Sequence, residues 1–411
     1  MNDPLTLPEV ARQAIAVFRR AALADSDAAI SVGWAPGRMN IIGEHTDYND
    51  GFVLPAAIHR LVALAGTPAD EPFATLYSAN HQAWARVPLG DDVAFAGEQV
   101  PLWARYVQAT WRQLAMLGSV PTSAGFKAAI VGDVPLGGGL SSSAALEVAT
   151  AMFAQSLGGR ALPPLDVARA CQRAEQAGAD VAVGIMDQAA SCLGRPHSAM
   201  LLDCRALTFT YVPIPEDAEW IVFDTGAPHT LATSGYNSRR SECEAAVAHL
   251  APVLAHETPG RQIHALRDIT LADLTQHSAL LDDVLLQRAR HVVSENMRTL
   301  AAAEALQKCD LAMVGMYLNQ SHASLRDDYE VSCFELDAAV DVALAAPGTF
   351  GARMMGAGFG GSIIALVRPE SSAKLCERLV SEYPRRTGRN GALVPCDITG
   401  EAGIQAASWR A

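Results

Sequence analysis

Apolar residues fall at helical spacing along several stretches of the chain, with short apolar runs between them. Val10, Ala14, Val17, Phe18 and Ala21 line one side of residues 8–25, which predicts an amphipathic helix. Runs at 61–66, 73–78 and 126–131 read as strands. Tyr106, Val107, Thr110 and Trp111 set a helix that opens at Pro101-Leu102-Trp103 and runs through Leu117. Ala144, Ala145, Val148, Ala149, Met152 and Phe153 set another, and 166–176 continues in the same manner. Strand-like runs return at 199–203 and 219–224. Beyond them helices dominate, at 245–251, 287–307, 310–322 and 334–346, before a last apolar run at 362–367. Pro213 and Pro215 break the chain just ahead of this change, so a domain boundary is expected near 219.

Between the 126–131 strand and its helix lies Pro135-Leu136-Gly137-Gly138-Gly139-Leu140-Ser141-Ser142-Ser143. Adjacent glycines leave the backbone free to turn its N–H groups inward, and a helix N-terminus adds its dipole. Strand, glycine loop and helix together suggest an anion site for a nucleotide phosphate. No Lys follows the last glycine, so the loop is not a Walker A motif. Ser141 and Ser142 are candidate helix caps.

A second unusual stretch runs from Trp34 to Pro55 and places Arg38, Glu44, His45 and Asp47 among short apolar pieces. Its polar groups are expected to converge beside a partly buried site. Glu44, His45 and Asp47 make a poor metal set, because zinc ligands usually come from separate elements. Asp187, amid small and apolar residues, reads by itself as a helix cap or a buried, satisfied carboxylate. Gly356-Ala357-Gly358-Phe359-Gly360-Gly361 spells a dinucleotide fingerprint, yet a strand-like run follows where that motif needs a helix. It is read instead as a second glycine-rich loop joining strands. The polar run 324–330 reads as a connection between helices.

The 411 residues imply two or three domains, and 50% hydrophobic content with 18% charged residues suits a compact globule. A net charge of −13 argues against nucleic-acid or anionic-membrane partners. The 8 cysteines are scattered without CxxC spacing, the pattern of reduced thiols in a cytoplasmic protein. No signal peptide or membrane span is legible.

Taken in order, Gly37–Asn49, Pro135–Ala145, Gly184–Gln188, Ser324–Ser332 and Arg353–Gly361 resemble the galactokinase branch of the GHMP small-molecule kinases. The likeness runs nearly the whole chain. It implies an α+β fold with an N-terminal domain of ribosomal-protein-S5-domain-2-like type (1–218). A ferredoxin-like C-terminal domain (219–411) would follow, with the active site in the cleft between them. The implied reaction moves the γ-phosphoryl of ATP to the anomeric hydroxyl of galactose. By resemblance, Glu44, His45, Thr46, Asp47, Gly184 and Tyr236 bind the sugar. Gly137, Gly138, Gly139, Leu140, Ser141, Ser142 and Ser143 hold the phosphates, while Trp103 and Tyr106 flank the adenine. Ser143 and Glu175 bind Mg²⁺. Asp187 matches the catalytic base and Arg38 the arginine that counters charge on the transferred phosphoryl. Asp187 is expected chiefly to orient the hydroxyl and to accept its proton late. The implied protein is a cytoplasmic monomer or weak homo-oligomer.

Some positions depart from the family pattern: Met39 for valine, Asp50 for a small residue, Ala182-Val183 for Pro-Cys, Gly235 for Glu, and Ala357 for glycine. Asp50 and Gly235 bear on sugar selectivity. Two other readings follow from the same residues: a related sugar kinase, for example on N-acetylgalactosamine, and a galactose- and ATP-binding regulator without catalysis.

Overall fold

The computed structural model describes residues 7–21, 23, 29–90, 100–121, 124–228 and 232–406. In chain order its first elements are α1 (Glu9–Arg20), β1 (Ser31–Asn40), β2 (Phe52–Val53), β3 (Pro55–Ala69), β4 (Phe73–Ser78), β5 (Ala83–Pro88) and α2 (Leu102–Met116). β6 (Gly125–Gly132), α3 (Ser142–Ser156), α4 (Pro164–Ala179), α5 (Met186–Leu193), β7 (Ser198–Asp203) and β8 (Thr208–Pro213) follow. Next come β9 (Glu219–Asp224), α6 (Ala232–Glu257), α7 (Leu271–Gln276), α8 (Asp283–Gln307), α9 (Leu311–Asp327) and α10 (Phe334–Leu344). The chain closes with β10 (Thr349–Met355), β11 (Ser362–Val367), α11 (Pro369–Thr387), β12 (Ala392–Val394) and β13 (Gly403–Ala406).

One sheet has the order β13-β1-β3-β6-β4-β5, antiparallel except where β4 meets β6. α1 covers one face, where Val10, Ala14, Val17 and Phe18 pack on Val32, Ala63 and Ala65. α2, α3 and α5 cover the other, with α4 packed outside them, and Phe126 makes ring contacts with both Trp111 and Phe153. The predicted helix over 8–25 ends at Arg20, and part of its expected last turn lies outside the described residues.

The second sheet has the order β10-β11-β9-β12, antiparallel throughout. Helices separate β9 from β10 and β11 from β12, the β-α-β-β-α-β plan of ferredoxin-like folds. Every residue of β11 is buried. Ile363, Ala365 and Val367 enter the core under α10 and α11, while Ile364 and Leu366 join Trp220 and Val222 in the core shared with the first sheet. A strand buried on both faces has no polar side to alternate with, which explains the solid apolar run in the sequence. β13 returns across the molecule to pair with β1.

β1 is a surprise. Pro36 and Gly37 favour a loop, yet they lie within a ten-residue strand, the second of the six in the sheet. The register shifts between Pro36 and Arg38, a local irregularity that accommodates the proline and re-aims the arginine. α6 is longer than its apolar pattern implies, reaching back from 245 to Ala232. The run 324–330 is likewise less of a connection than its polarity suggests: α9 continues to Asp327, and Tyr329 is fully buried.

Candidate active site

The irregularity in β1 brings Gly37 against the first glycine loop. A Cβ at Gly37 would sit 2.6 Å from the Leu140 carbonyl, and the Arg38 N–H donates to that same oxygen at 3.1 Å. Gly137 and Gly139 hold φ of 74° and 71°, in the left-handed region that glycine tolerates. Ser362 from β11 donates to the Gly138 carbonyl at 2.6 Å. Gly356 packs on Gly139, where its Cβ would meet the Gly139 Cα at 3.4 Å. The second glycine-rich loop, the hairpin between β10 and β11, therefore lies directly on the first.

Arg38 is 4% exposed. Its Nε and Nη2 donate to the two oxygens of Asp187, each at 2.8 Å, and Nη1 donates to the Gly139 carbonyl at 2.6 Å. Asp187 sits in the first turn of α5, where a carboxylate is favoured by the helix dipole. The Ser141 hydroxyl also donates to Asp187. Ser141 stands at the N-cap position of α3 with φ 58°, but makes no capping bond; its hydroxyl is committed to Asp187 instead. The two Arg38 bonds and the Ser141 bond use three of about four lone-pair directions on the carboxylate, leaving one for an incoming hydroxyl.

Beside this cluster the Ser143 hydroxyl hydrogen-bonds Glu175, whose carboxyl is pushed up to about 7 by burial and by the charge of Asp187. The Gln188 amide bridges Glu175 at 2.6 Å and the fully buried Glu147 at 3.0 Å. Burial, then Glu175, pushes the Glu147 carboxyl well above the ordinary range. Tyr106 packs at the edge of this group, its phenol raised by burial, Glu175 and Glu147. Trp103 is 9% exposed in the core, its ring stacked 5.9 Å from His81.

The loop after β1 carries the other polar set. Glu44 is buried, and its Oε1 accepts from Arg353 Nη2 and the Gly356 N–H, both at 2.8 Å. α8 clamps the loop from the far side. Glu295 accepts from the Gly43 N–H at 3.1 Å, and Asn296 accepts from the Phe52 N–H at 2.9 Å. Burial works to raise the Glu295 carboxyl, but Arg298, His291 and Arg353 outweigh it and hold it at about 2. Asp47 accepts from the backbone N–H groups of Tyr48 and Met186, while burial and the Asp187 charge push its carboxyl up to about 7. Gly184 makes room for it: a Cβ there would lie 1.9 Å from Asp47 Oδ2. Tyr236 from α6 accepts from the Gly184 N–H.

These groups line a cavity of about 180 Å³ that contains Glu44, His45, Asp47, Gly184 and Tyr236 on one side and Arg38 with Asp187 on the other. Thr46 is the exception. Its hydroxyl donates to the Gly43 and Phe52 carbonyls, at 2.9 and 2.7 Å, so it folds the loop back on itself rather than facing the cavity.

The galactokinase galactose-binding signature matches residues 21–68, the GHMP kinases N terminal domain matches 105–195, and the GHMP kinases C terminal domain matches 302–385. The galactokinase of Chloroflexus aurantiacus is 45% identical over 370 residues, covering 90% of this chain and 92% of that one. The chain belongs to the galactokinase family. The galactokinase of Homo sapiens is 38% identical over 387 residues, covering 92% and 94% of the two chains. Among solved structures, Lactococcus lactis galactokinase complexed with galactose superposes with a TM-score of 0.87 at 32% identity. It covers 94% of this chain and 98% of that chain.

Several groups at this galactokinase-family site escape a reading of motifs. Ser141 was expected only to hold phosphate or cap a helix, and its bond to Asp187 depends on a left-handed backbone that three serines in a row do not announce. Glu147 and Gln188 look like ordinary helix residues, although Gln188 follows Asp187 within the Gly184–Gln188 segment. Arg353 opens the Arg353–Gly361 segment, which hinted at a role. Glu295 and Asn296 had no signal beyond being polar within an amphipathic helix.

Proposed function

We propose that the chain transfers the γ-phosphoryl of ATP to the anomeric C1 hydroxyl of D-galactose, giving galactose 1-phosphate and ADP. One observation carries this reading: Arg38 bonds Asp187 on the polar cavity and the Gly139 carbonyl of the glycine loop with the same guanidinium. A hydroxyl held in the cavity and a phosphate held on the loop would meet there. Phosphoryl transfer through a loose transition state depends mostly on such alignment and on charge stabilisation. Glu44, His45, Asp47 and Tyr236 bind and orient the sugar. Asp187 takes the C1 hydroxyl on its remaining lone pair and accepts its proton as the new bond forms. Arg38 counters charge on the moving phosphoryl, and Gly137–Ser143 seat the phosphates of ATP. Trp103 and Tyr106 are assigned to the adenine side.

The residues present fit a divalent cation. Ser143 and Glu175 are adjacent hard oxygen donors, and the nearby Glu147 Oε1 and Gln188 Oε1 are buried without hydrogen-bond partners. Ser143 and Glu175 would hold Mg²⁺, which supplies charge neutralisation of the ATP phosphates. No helix among the described residues is long and apolar enough to cross a membrane. The net charge of −13 argues against nucleic-acid partners, and the scattered cysteines suit a cytoplasmic protein.

ADP release with Mg·ATP across a sugar panel, with Asp187→Ala as control, tests the reading. Galactose turnover that vanishes in the variant is expected. Turnover on another sugar only, N-acetylgalactosamine for instance, would replace galactose, and galactose binding without turnover would mark a regulator.

The close fit of Gly184 gives a sharper test. In Gly184→Ala the new methyl overlaps Asp47 Oδ2, so either the carboxylate or the 181–184 segment must move. The KM for galactose is expected to rise at least about tenfold, with kcat changing less, since the loss is in binding shared by ground and transition states. An unchanged KM would remove Asp47 from the sugar site.

Asp47 also makes binding pH-dependent. With a carboxyl at about 7 in the free protein, part of the population carries a proton at neutral pH. Sugar hydroxyls donating to the carboxylate favour its charged form, so galactose binding should release protons near pH 7 and strengthen as pH rises through it. Calorimetry in buffers of different ionisation enthalpy measures the release, and Asp47→Asn should abolish it.

A further inference from the structure

His45 is held by a chain of neutral groups that leads away from the cavity. Its Nε2 lies 3.2 Å from the Ala357 carbonyl and its Nδ1 lies 2.8 Å from the Tyr48 hydroxyl. Tyr48 in turn lies 2.8 Å from the Tyr329 hydroxyl, which lies 3.2 Å from Cys243 Sγ. The Tyr329 ring also sits 4.8 Å from His45, so the chain is packed as well as bonded. We propose that Tyr48, Tyr329 and Cys243 form a one-directional hydrogen-bonded chain that fixes His45 as its Nε2–H tautomer, so that the sugar site meets a donor from His45 beside the acceptors of Glu44 and Asp47.

The direction follows from the two ends. A carbonyl oxygen can only accept, so the Ala357 contact requires a proton on Nε2. Burial drives the His45 imidazole down to about 3, so the ring is neutral at working pH and Nδ1 is bare. A bare Nδ1 must accept from Tyr48. Tyr48, having donated its only proton, must accept from Tyr329, and Tyr329 must accept from the Cys243 thiol. That thiol is pushed up to about 11 by burial and keeps its proton. The reverse direction would set an Nε2 lone pair against the Ala357 lone pairs. Ala357 lines the cavity beside His45, so the Nε2–H is directed at the cavity wall where a ligand hydroxyl can share it. One sugar hydroxyl would then accept from His45 while donating to a carboxylate. Tyr48 and Tyr329 are positioning residues for that read-out, which rests on the assignment of His45 to the sugar pocket.

The test uses the full chain labelled with ¹⁵N-histidine, His45 being identified among the 11 histidines by the signal lost in His45→Gln. Wild type is expected to show a proton on Nε2 alone from pH 6 to 9. Tyr48→Phe should show an average of both tautomers, and Tyr329→Phe a smaller shift in the same direction. Kinetics of all three against deoxy- and fluoro-galactoses should then show one ring position at which wild type discriminates and Tyr48→Phe does not. The KM for galactose should rise about three- to tenfold at near-constant kcat, the range for one neutral hydrogen bond. An Nδ1–H tautomer in wild type, or a pure Nε2–H tautomer in Tyr48→Phe, overturns the proposal. A tautomer shift with analogue discrimination intact overturns the link to sugar recognition and places the fault in the assignment of His45 to the pocket.

Discussion

Asp187→Asn is expected to lower kcat for galactose phosphorylation by a factor of about 10² to 10⁴, the usual contribution of a positioned general base. The amide keeps the shape of the carboxylate but removes its charge and replaces one acceptor oxygen with a donor. Arg38 donates to both Asp187 oxygens and is 4% exposed, so one of its N–H groups would face an NH₂ instead of an oxygen. The guanidinium keeps its bond to the Gly139 carbonyl, and the Asp187 side chain is 28% exposed. The stability cost should therefore stay near the ~1–3 kcal/mol of a charged hydrogen bond rather than that of a fully buried broken pair. Galactose KM should move far less than kcat, because Glu44, His45 and Asp47 are untouched. Steady-state ADP release together with calorimetric galactose binding separates the two quantities. A kcat within about threefold of wild type would exclude Asp187 from proton transfer and hydroxyl orientation alike.

Arg353→Met is expected to give the largest loss of stability. Arg353 is fully buried and donates to the carbonyls of Asn40, Ile41 and Met354 as well as to Glu44, at 2.7 to 2.8 Å. Methionine fills much of the volume but leaves those carbonyls short of a donor and the buried Glu44 carboxylate without its counter-charge. Breaking a buried pair in this way costs about 3–5 kcal/mol. At roughly 2–4 °C per kcal/mol for a domain of 150–250 residues, the melting temperature should fall by on the order of 10 °C. Galactose affinity should fall with it, since Glu44 lines the cavity. Glu44→Gln is the milder companion. Its amide oxygen can still accept from Arg353 and Gly356, so it should lose affinity with a smaller thermal shift. A melting temperature within about 2 °C of wild type for Arg353→Met would mean that the pair contributes little.

Much of the secondary structure could be read from periodicity. β4, β9 and β11 span the residues that their apolar runs indicate, and α2, α8 and α10 follow their helical patterns closely. Reading failed where two rules conflicted. In β1, Pro36 and Gly37 locally disfavour a strand, and pairing with β3 on either side of them overrides that preference. In α6, the residues before 245 carry little apolar signal, and this end of the helix places Tyr236 on the cavity. At Tyr329, polar neighbours concealed a side chain that the fold buries against His45.

The ordered set of motifs in the sequence, by itself, determined the family, the two-part α+β plan and the types of group available: the glycines proposed to seat phosphates, and the carboxylates and arginine proposed for phosphoryl transfer. Such features are local in the chain, and spacing is enough to recognise them. Only the tertiary structure decided which of those groups face one another. Arg38 and Asp187 are 149 positions apart, Glu44 and Arg353 are 309 apart, and Gly138 and Ser362 are 224 apart. Contacts over such separations leave no periodic trace. They arise because two sheets, each needing its apolar face covered, close on a common core and bring their polar loops to one cleft.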